Sequence, residues 1–202
     1  MGCWSQSEDG LENGRYIVGP PPSQDVLAST YLSWKACGHL DKVFYQGVPS
    51  VREFLEWHTN AGTVVIGCWE RRTSDVVDFT GMGWINASER MPGLAKAEVG
   101  FCFNRNVSIF SQAALIRAMI TGIFLVSDYE SLFGTTPEVN QAAVALVKRT
   151  GMRIFGPVPM FASWHGEPCG VFISQADKKT WMNRPDIQAE FQALLPTASP
   201  CY

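Results

Sequence analysis

The chain lacks paired cysteines. Its six cysteines, Cys3, Cys37, Cys68, Cys102, Cys169 and Cys201, form no Cys-x-x-Cys pair, and none shares zinc-ligand spacing with the three histidines. No metal site is expected. Cys68 and Cys102 fall inside apolar runs, where a thiol acts as a small hydrophobe, and a reducing cytoplasmic setting fits free thiols best. There is no basic stripe either. Net charge is −3, and the pairs Arg71-Arg72, Lys148-Arg149 and Lys178-Lys179 are too short to neutralise many phosphates. Nucleic acid is therefore not an expected partner. The first residues, Met1 to Gln6, carry no basic start with an apolar run, and Gln6 stands where myristoylation wants Ser or Thr. The longest apolar stretch, 113–126, is interrupted by Arg117 and reads as too short for a bilayer. A soluble cytoplasmic protein without membrane contact is expected.

At 202 residues the chain has room for one domain with a real core. Apolar residues make up 46% and charged residues 17%, so some surface is expected to be covered by a protein partner or a second copy. Residues 1–24, rich in Gly and Ser and ending in Pro20-Pro21-Pro22, read as a loose N-terminal arm with one short strand at 15–18. Ser23 or Asp25 caps a helix that runs to about Ala36 and ends at Gly38. Ser50 with Glu53 makes a capping box for a second helix, to His58. Strands follow at 63–70 and 76–85 around a polar turn, and at 97–103 after a loop holding Met91-Pro92-Gly93.

A long helix, 108–128, is apolar nearly all round, which predicts cover on most faces. Beyond a strand at 131–136, Pro137 suits the first turn of a helix that ends at Gly151. After Arg153-Ile154-Phe155-Gly156, short strands at 160–164 and 170–174 come next. The tail, 183–202, holds a weak helix near 187–195. This order predicts an α/β (α+β) domain over 25–182, a mixed β-sheet with helices on its faces.

One segment carries more than periodicity. Asn140-x-x-Ala143-x-x-Leu146-Val147-x-x-x-Gly151-Met152 resembles the signature of the GNAT-type acyltransferases, Asn-x-x-Ala-x-x-Leu-Tyr-x-x-x-Gly-Phe. It follows a short strand, and the preceding long helix follows a strand bearing Glu98, both as in that family. Trp164-His165-Gly166-Glu167 is similar to the family's last hairpin turn. The resemblance covers roughly 60% of the chain, residues 63–181.

The resemblance implies acetyl-CoA as cofactor. The strand before the long helix, here Phe101, Cys102 and Phe103, would offer backbone groups to the pantetheine. The helix N-terminus at Ser108, with Arg105 for charge, would hold the pyrophosphate. Asn140 is either a ligand or a helix cap. Glu98 falls at the position of a general base, and equally reads as a solvated strand-end carboxylate.

Two departures stand out. Counted back from Leu115, Ser108 and Phe110 occupy the expected glycine positions of the phosphate loop, and Phe110 is bulky for a close approach. Val147 replaces the tyrosine that would protonate the departing thiolate, leaving Tyr129 or Ser131 as stand-ins. The expectation is a GNAT fold without catalysis, in a binding or structural role. Its alternative is an active N-acetyltransferase acting on an amine. Thr136-Pro137-x-x-Asn140 and Lys179-Thr180-Trp181 also resemble GNAT-like proteins of tailed bacteriophages, which implies a virion-associated role.

Overall fold

The structure is a computed structural model and describes residues 3–44, 47–59, 62–74, 76–87 and 95–195. The expected loop at Met91-Pro92-Gly93 lies outside them.

Local capping explains most helix boundaries. Ser23 Oγ accepts from the Val26 amide and starts α1 (Gln24–Ala36). A four-residue turn, α2 (Leu40–Val43), was not foreseen. The capping box is present as expected: the Ser50 amide donates to Glu53 Oε2 at 2.7 Å, and the Glu53 amide to Ser50 Oγ at 3.2 Å, opening α3 (Val51–Thr59).

The strands are β1 (Ser5–Ser7), β2 (Gly10–Glu12), β3 (Tyr16–Gly19), β4 (Thr63–Arg71), β5 (Val77–Ala87), β6 (Lys96–Phe103), β7 (Ser131–Pro137), β8 (Arg153–Trp164) and β9 (Glu167–Asp177). Helices α4 (Ile109–Val126), α5 (Gln141–Thr150), α6 (Lys178–Met182) and α7 (Pro185–Glu190) are the remaining elements among the described residues. The nine strands among the described residues join one mixed sheet in the order β1-β2-β3-β4-β5-β6-β7-β9-β8. Every neighbouring pair is antiparallel except β6 with β7.

Cross-strand partners share a face. Met82, Trp84 and Asn86 stand opposite Cys102, Gly100 and Glu98. Met82 and Cys102 pack with Leu27, Tyr31, Trp34 and Phe54 in a cluster under α1–α3. Ala97, Val99 and Phe103 face the other way and pack beneath α4. The apolarity of α4 is accounted for by cover: Ala113 through Thr121, Ile123 and Phe124 are all buried. At 18 residues this helix passes a length-and-hydropathy test for a membrane span, but 61% of it is buried inside the fold.

The N-terminal segment is not a loose arm. Residues 5–19 form a three-stranded meander that β3 joins to β4, Ile17 opposite Trp69. Trp4 is 1% exposed and stacks on Phe191, ring centroids 5.9 Å apart, while its amide donates to the Glu190 carbonyl at 2.8 Å. Burial of a large aromatic outweighs the polar composition around it. The tail helix is α7, and Ile187 and Phe191 are fully buried. Pro137 does not start a helix. It is the last residue of β7, opposite Val171, and α5 begins four residues later. The short strand expected at 160–164 is the end of a longer bulged strand, β8, which already starts at Arg153.

Candidate functional site: the cleft between β6 and β7

The parallel pair β6–β7 holds register only from Lys96–Ser131 to Glu98–Phe133. Beyond that point β7 stays paired with β9 and parts from β6. A cleft of about 350 Å³ opens in the gap. It reaches both faces of the sheet. His39, Lys42, Val43 and Trp84 line it on the α1–α3 side, and Gln112, Ile116, Leu146 and Val147 on the α4–α5 side.

The backbone of β6 is turned into this gap. A Cβ added to Gly134 would lie 2.8 Å from the Val99 carbonyl oxygen, so that carbonyl points at β7. Strand residues alternate the direction of their N–H and C=O groups. The peptide groups of Phe101 and Phe103 therefore also face the gap, past the end of the β6–β7 pairing. Backbone groups are strong hydrogen-bonding sites, and that of Phe103 meets the His39 ring at the wall of the gap. An extended ligand laid between the strands would meet them as a further strand does.

Phe101, Cys102, Phe103, Arg105 and Asn140 all line the cleft. Asn140 acts as the cap of α5, its Oδ1 accepting from the Ala143 amide at 3.3 Å. Gly151 closes that helix at φ 79°, the left-handed conformation that suits glycine. Arg105 Nη2 donates to the Cys37 carbonyl, at the C-terminal end of α1. The other expected residues fall elsewhere. Glu98 stands at the last paired position of β6, opposite Phe133, and does not line the cleft. Ser108 is also outside the lining: it caps α4, accepting from the Ser111 amide at 3.2 Å.

Phe110 does not sit buried against the α4 terminus. Its ring is 60% exposed and lies under the Arg149 guanidinium, 4.4 Å away. The N–H groups of Ile109 and Phe110 remain at the open end of the helix, as at any helix start. Val147 lines the cleft, as the signature's tyrosine position should, and brings no proton donor. Neither proposed stand-in replaces it: Tyr129 packs against the α4 core, and Ser131 is buried within β7, accepting from Gln175 Nε2 at 2.9 Å.

Sequence reading missed His39, Lys42 and Trp84. His39 is the N-cap of the unforeseen α2 and Lys42 lies within it. His39 Nε2 lies 3.4 Å from Cys102 Sγ, and its ring meets Trp34 edge-on at 5.5 Å. Burial pushes the imidazole below its ordinary range, and Arg105 and Lys42 push it further down. Burial pushes the Cys102 thiol well up, so it stays protonated. Among the described residues no group of three His, Cys, Asp or Glu side chains is placed to hold a metal.

No protein-family model matches the sequence, and no curated protein matches it. Solved structures do. The spermidine N-acetyltransferase of Vibrio cholerae, in complex with CoA and spermine, superposes at TM-score 0.68 and 12% identity, covering 85% of this chain and 100% of that one. A GNAT-family acetyltransferase from Bacillus anthracis gives TM-score 0.63 at 14% identity, covering 82% and 96%. The yncA protein of Salmonella typhimurium, with its cofactor acetyl-CoA, gives 0.61 at 12%, covering 81% and 94%. The chain has the fold of the GNAT acetyltransferases, a mixed sheet flanked by helices.

Proposed function

We propose that this chain binds an acyl-CoA thioester, acetyl-CoA in the first instance, between β6 and β7 and transfers the acyl group to an amine. The observation that carries the reading is the parting of β6 from β7 with the peptide groups of Phe101 and Phe103 turned into the gap. Pantetheine carries amide groups at strand-like spacing and would pair with those two residues. The open end of α4 suits a pyrophosphate, and Arg149, stacked on Phe110 of the first turn, places a cation beside it. That the fold neighbours include proteins solved with CoA or acetyl-CoA supports the same reading.

In this reading the Phe101 and Phe103 peptides orient the thioester so that its carbonyl carbon faces Trp84 and α2. The amine attacks directly from that side, the C–N bond forms, and CoA leaves as the thiol. The experiment is a calorimetric titration with acetyl-CoA. Micromolar binding is expected, and no binding at millimolar ligand would overturn the reading.

A second reading is a cleft that binds CoA without transfer. It is favoured by Val147, which cannot protonate a thiolate, and by Glu98, which stands outside the lining. Tight acetyl-CoA binding with no thiol release in the presence of amines would select it. The virion-associated role expected from the sequence has no support in the fold or the cleft and is not carried into either reading.

A further inference from the structure

The polar side chains of the cleft are largely committed. Asn140 caps α5. Gln112 Nε2 donates to the Val107 carbonyl at 2.8 Å, and Ser174 Oγ to the Gly134 carbonyl at 3.2 Å. Arg105 donates to the Cys37 carbonyl. His39 is different: it is a titratable ring whose Nε2 lies beside the Cys102 thiol, among the weakest of hydrogen-bonding partners, while the ring also hydrogen-bonds the Phe103 backbone. Its ring is nevertheless held in place. It sits edge-on against Trp34, whose Nε1 donates to Asn104 Oδ1 at 2.7 Å, and Asn104 Nδ2 in turn donates to the Phe79 carbonyl at 2.9 Å. A basic nitrogen is thus positioned at the wall of the cleft on the face opposite α4 and α5, where an amine would approach.

We propose that His39 is the proton acceptor for the attacking amine, and so a catalytic residue of the acyl transfer on whose assignment above this inference rests. As the amine nitrogen bonds to the thioester carbon it becomes an ammonium. His39 takes one N–H proton, the C–S bond breaks, and the proton passes to the departing thiolate. Amide and CoA thiol are the products, and the imidazole ends neutral. The charged and titratable groups around the ring are Lys42 on α2, Cys37 at the end of α1, Cys102 on β6 and Arg105 beyond it. Burial and the two cations keep the imidazole unprotonated near pH 7, with the Phe103 backbone opposing. Cys102, held as the thiol, does not compete as an anion.

The test uses the full chain, acetyl-CoA, and benzylamine and spermidine as probe amines. Acetyl-CoA affinity, thiol release and its pH profile are compared for wild type and His39→Gln. The variant is expected to bind acetyl-CoA as wild type does, while thiol release falls about 10²-fold and loses the acid limb of its pH profile. Retained binding with unchanged rate and acid limb would overturn the role of His39 and leave acyl transfer standing. No acetyl-CoA binding by wild type would overturn the acyl-CoA reading itself. Binding by wild type without thiol release to either amine would overturn His39 as acceptor while leaving the binding site intact. Should His39→Gln not fold, the wild-type ring reads the proposal directly. With the histidine signals assigned through His58→Gln and His165→Gln, the His39 resonance is expected to move on adding acetyl-CoA, and an unmoved signal at saturation would overturn it.

Discussion

Gly134 touches Val99 across the point where the sheet opens: a Cβ on the glycine would lie 2.8 Å from the Val99 carbonyl oxygen. That oxygen is backbone and has little room to retreat. Gly134→Val is therefore expected to force β7 away from β6, at about 1–3 kcal/mol. Acetyl-CoA affinity should fall as well, since the register of the two strands sets the width of the cleft. Urea denaturation and calorimetry read the two effects. A variant with native stability and affinity would show that the close approach does not set the gap.

Arg117 and Glu190 form a two-point ion pair, Nε to Oε2 at 2.9 Å and Nη2 to Oε1 at 2.7 Å, between the core helix α4 and the end of α7. The Arg117 side chain is 9% exposed. Glu190→Ala leaves that guanidinium buried without its carboxylate and is expected to cost about 3–5 kcal/mol. The double variant Arg117→Met, Glu190→Leu should cost less than the single one, because both buried charges are removed together. Denaturant midpoints of the three proteins decide it. Equal losses would mean the pair acts through packing alone.

Trp4 ties the first strands to the last helix. Trp4→Ala removes a fully buried indole from its stack on Phe191 and should cost about 3–5 kcal/mol. A loss under about 1 kcal/mol would place β1 and β2 outside the cooperative unit.

Acid should destabilise the protein early. His58 is buried, its Nε2 3.2 Å from Met82 Sδ, and burial pushes its imidazole below the ordinary range against the pull of the Phe54 carbonyl. His39 shifts the same way. A histidine with a lowered folded value binds fewer protons folded than unfolded. Its stabilising effect is complete above about pH 6.5, the ordinary imidazole value, and is lost as pH falls below it toward the folded value. The slope is up to about 1.4 kcal/mol per pH unit for the buried His58. Asp177, held down by hydrogen bonds from Thr180, adds loss only below the ordinary carboxylate range. Unfolding free energies measured from pH 7.5 to 5 should fall, and His58→Gln should flatten the curve. A flat wild-type curve over that range would refute the shift.

Features made within a few residues were legible. Ser23, the Ser50–Glu53 box and Gly151 act on amides and carbonyls three or four positions away, so their geometry is implicit in local order. The signature around Asn140 likewise located α5 and one wall of the cleft. Glu98 and Ser108 sat at plausible positions in the chain, yet lie beside the cleft rather than in it, because strand pairing and capping decide where those side chains go.

From the sequence alone came the order of the main strands and helices, the cover over α4 and the likeness to the GNAT fold. Periodicity and caps are local, and the apolar count of α4 admits few other fates. Tertiary structure decided the rest. Trp4 meets Phe191 from the opposite end of the chain, β3 pairs with a strand some 50 residues on, and the corner bearing His39 comes to Cys102. Such contacts form when the core closes, and short segments such as β1 or α2 hold their shape only against it.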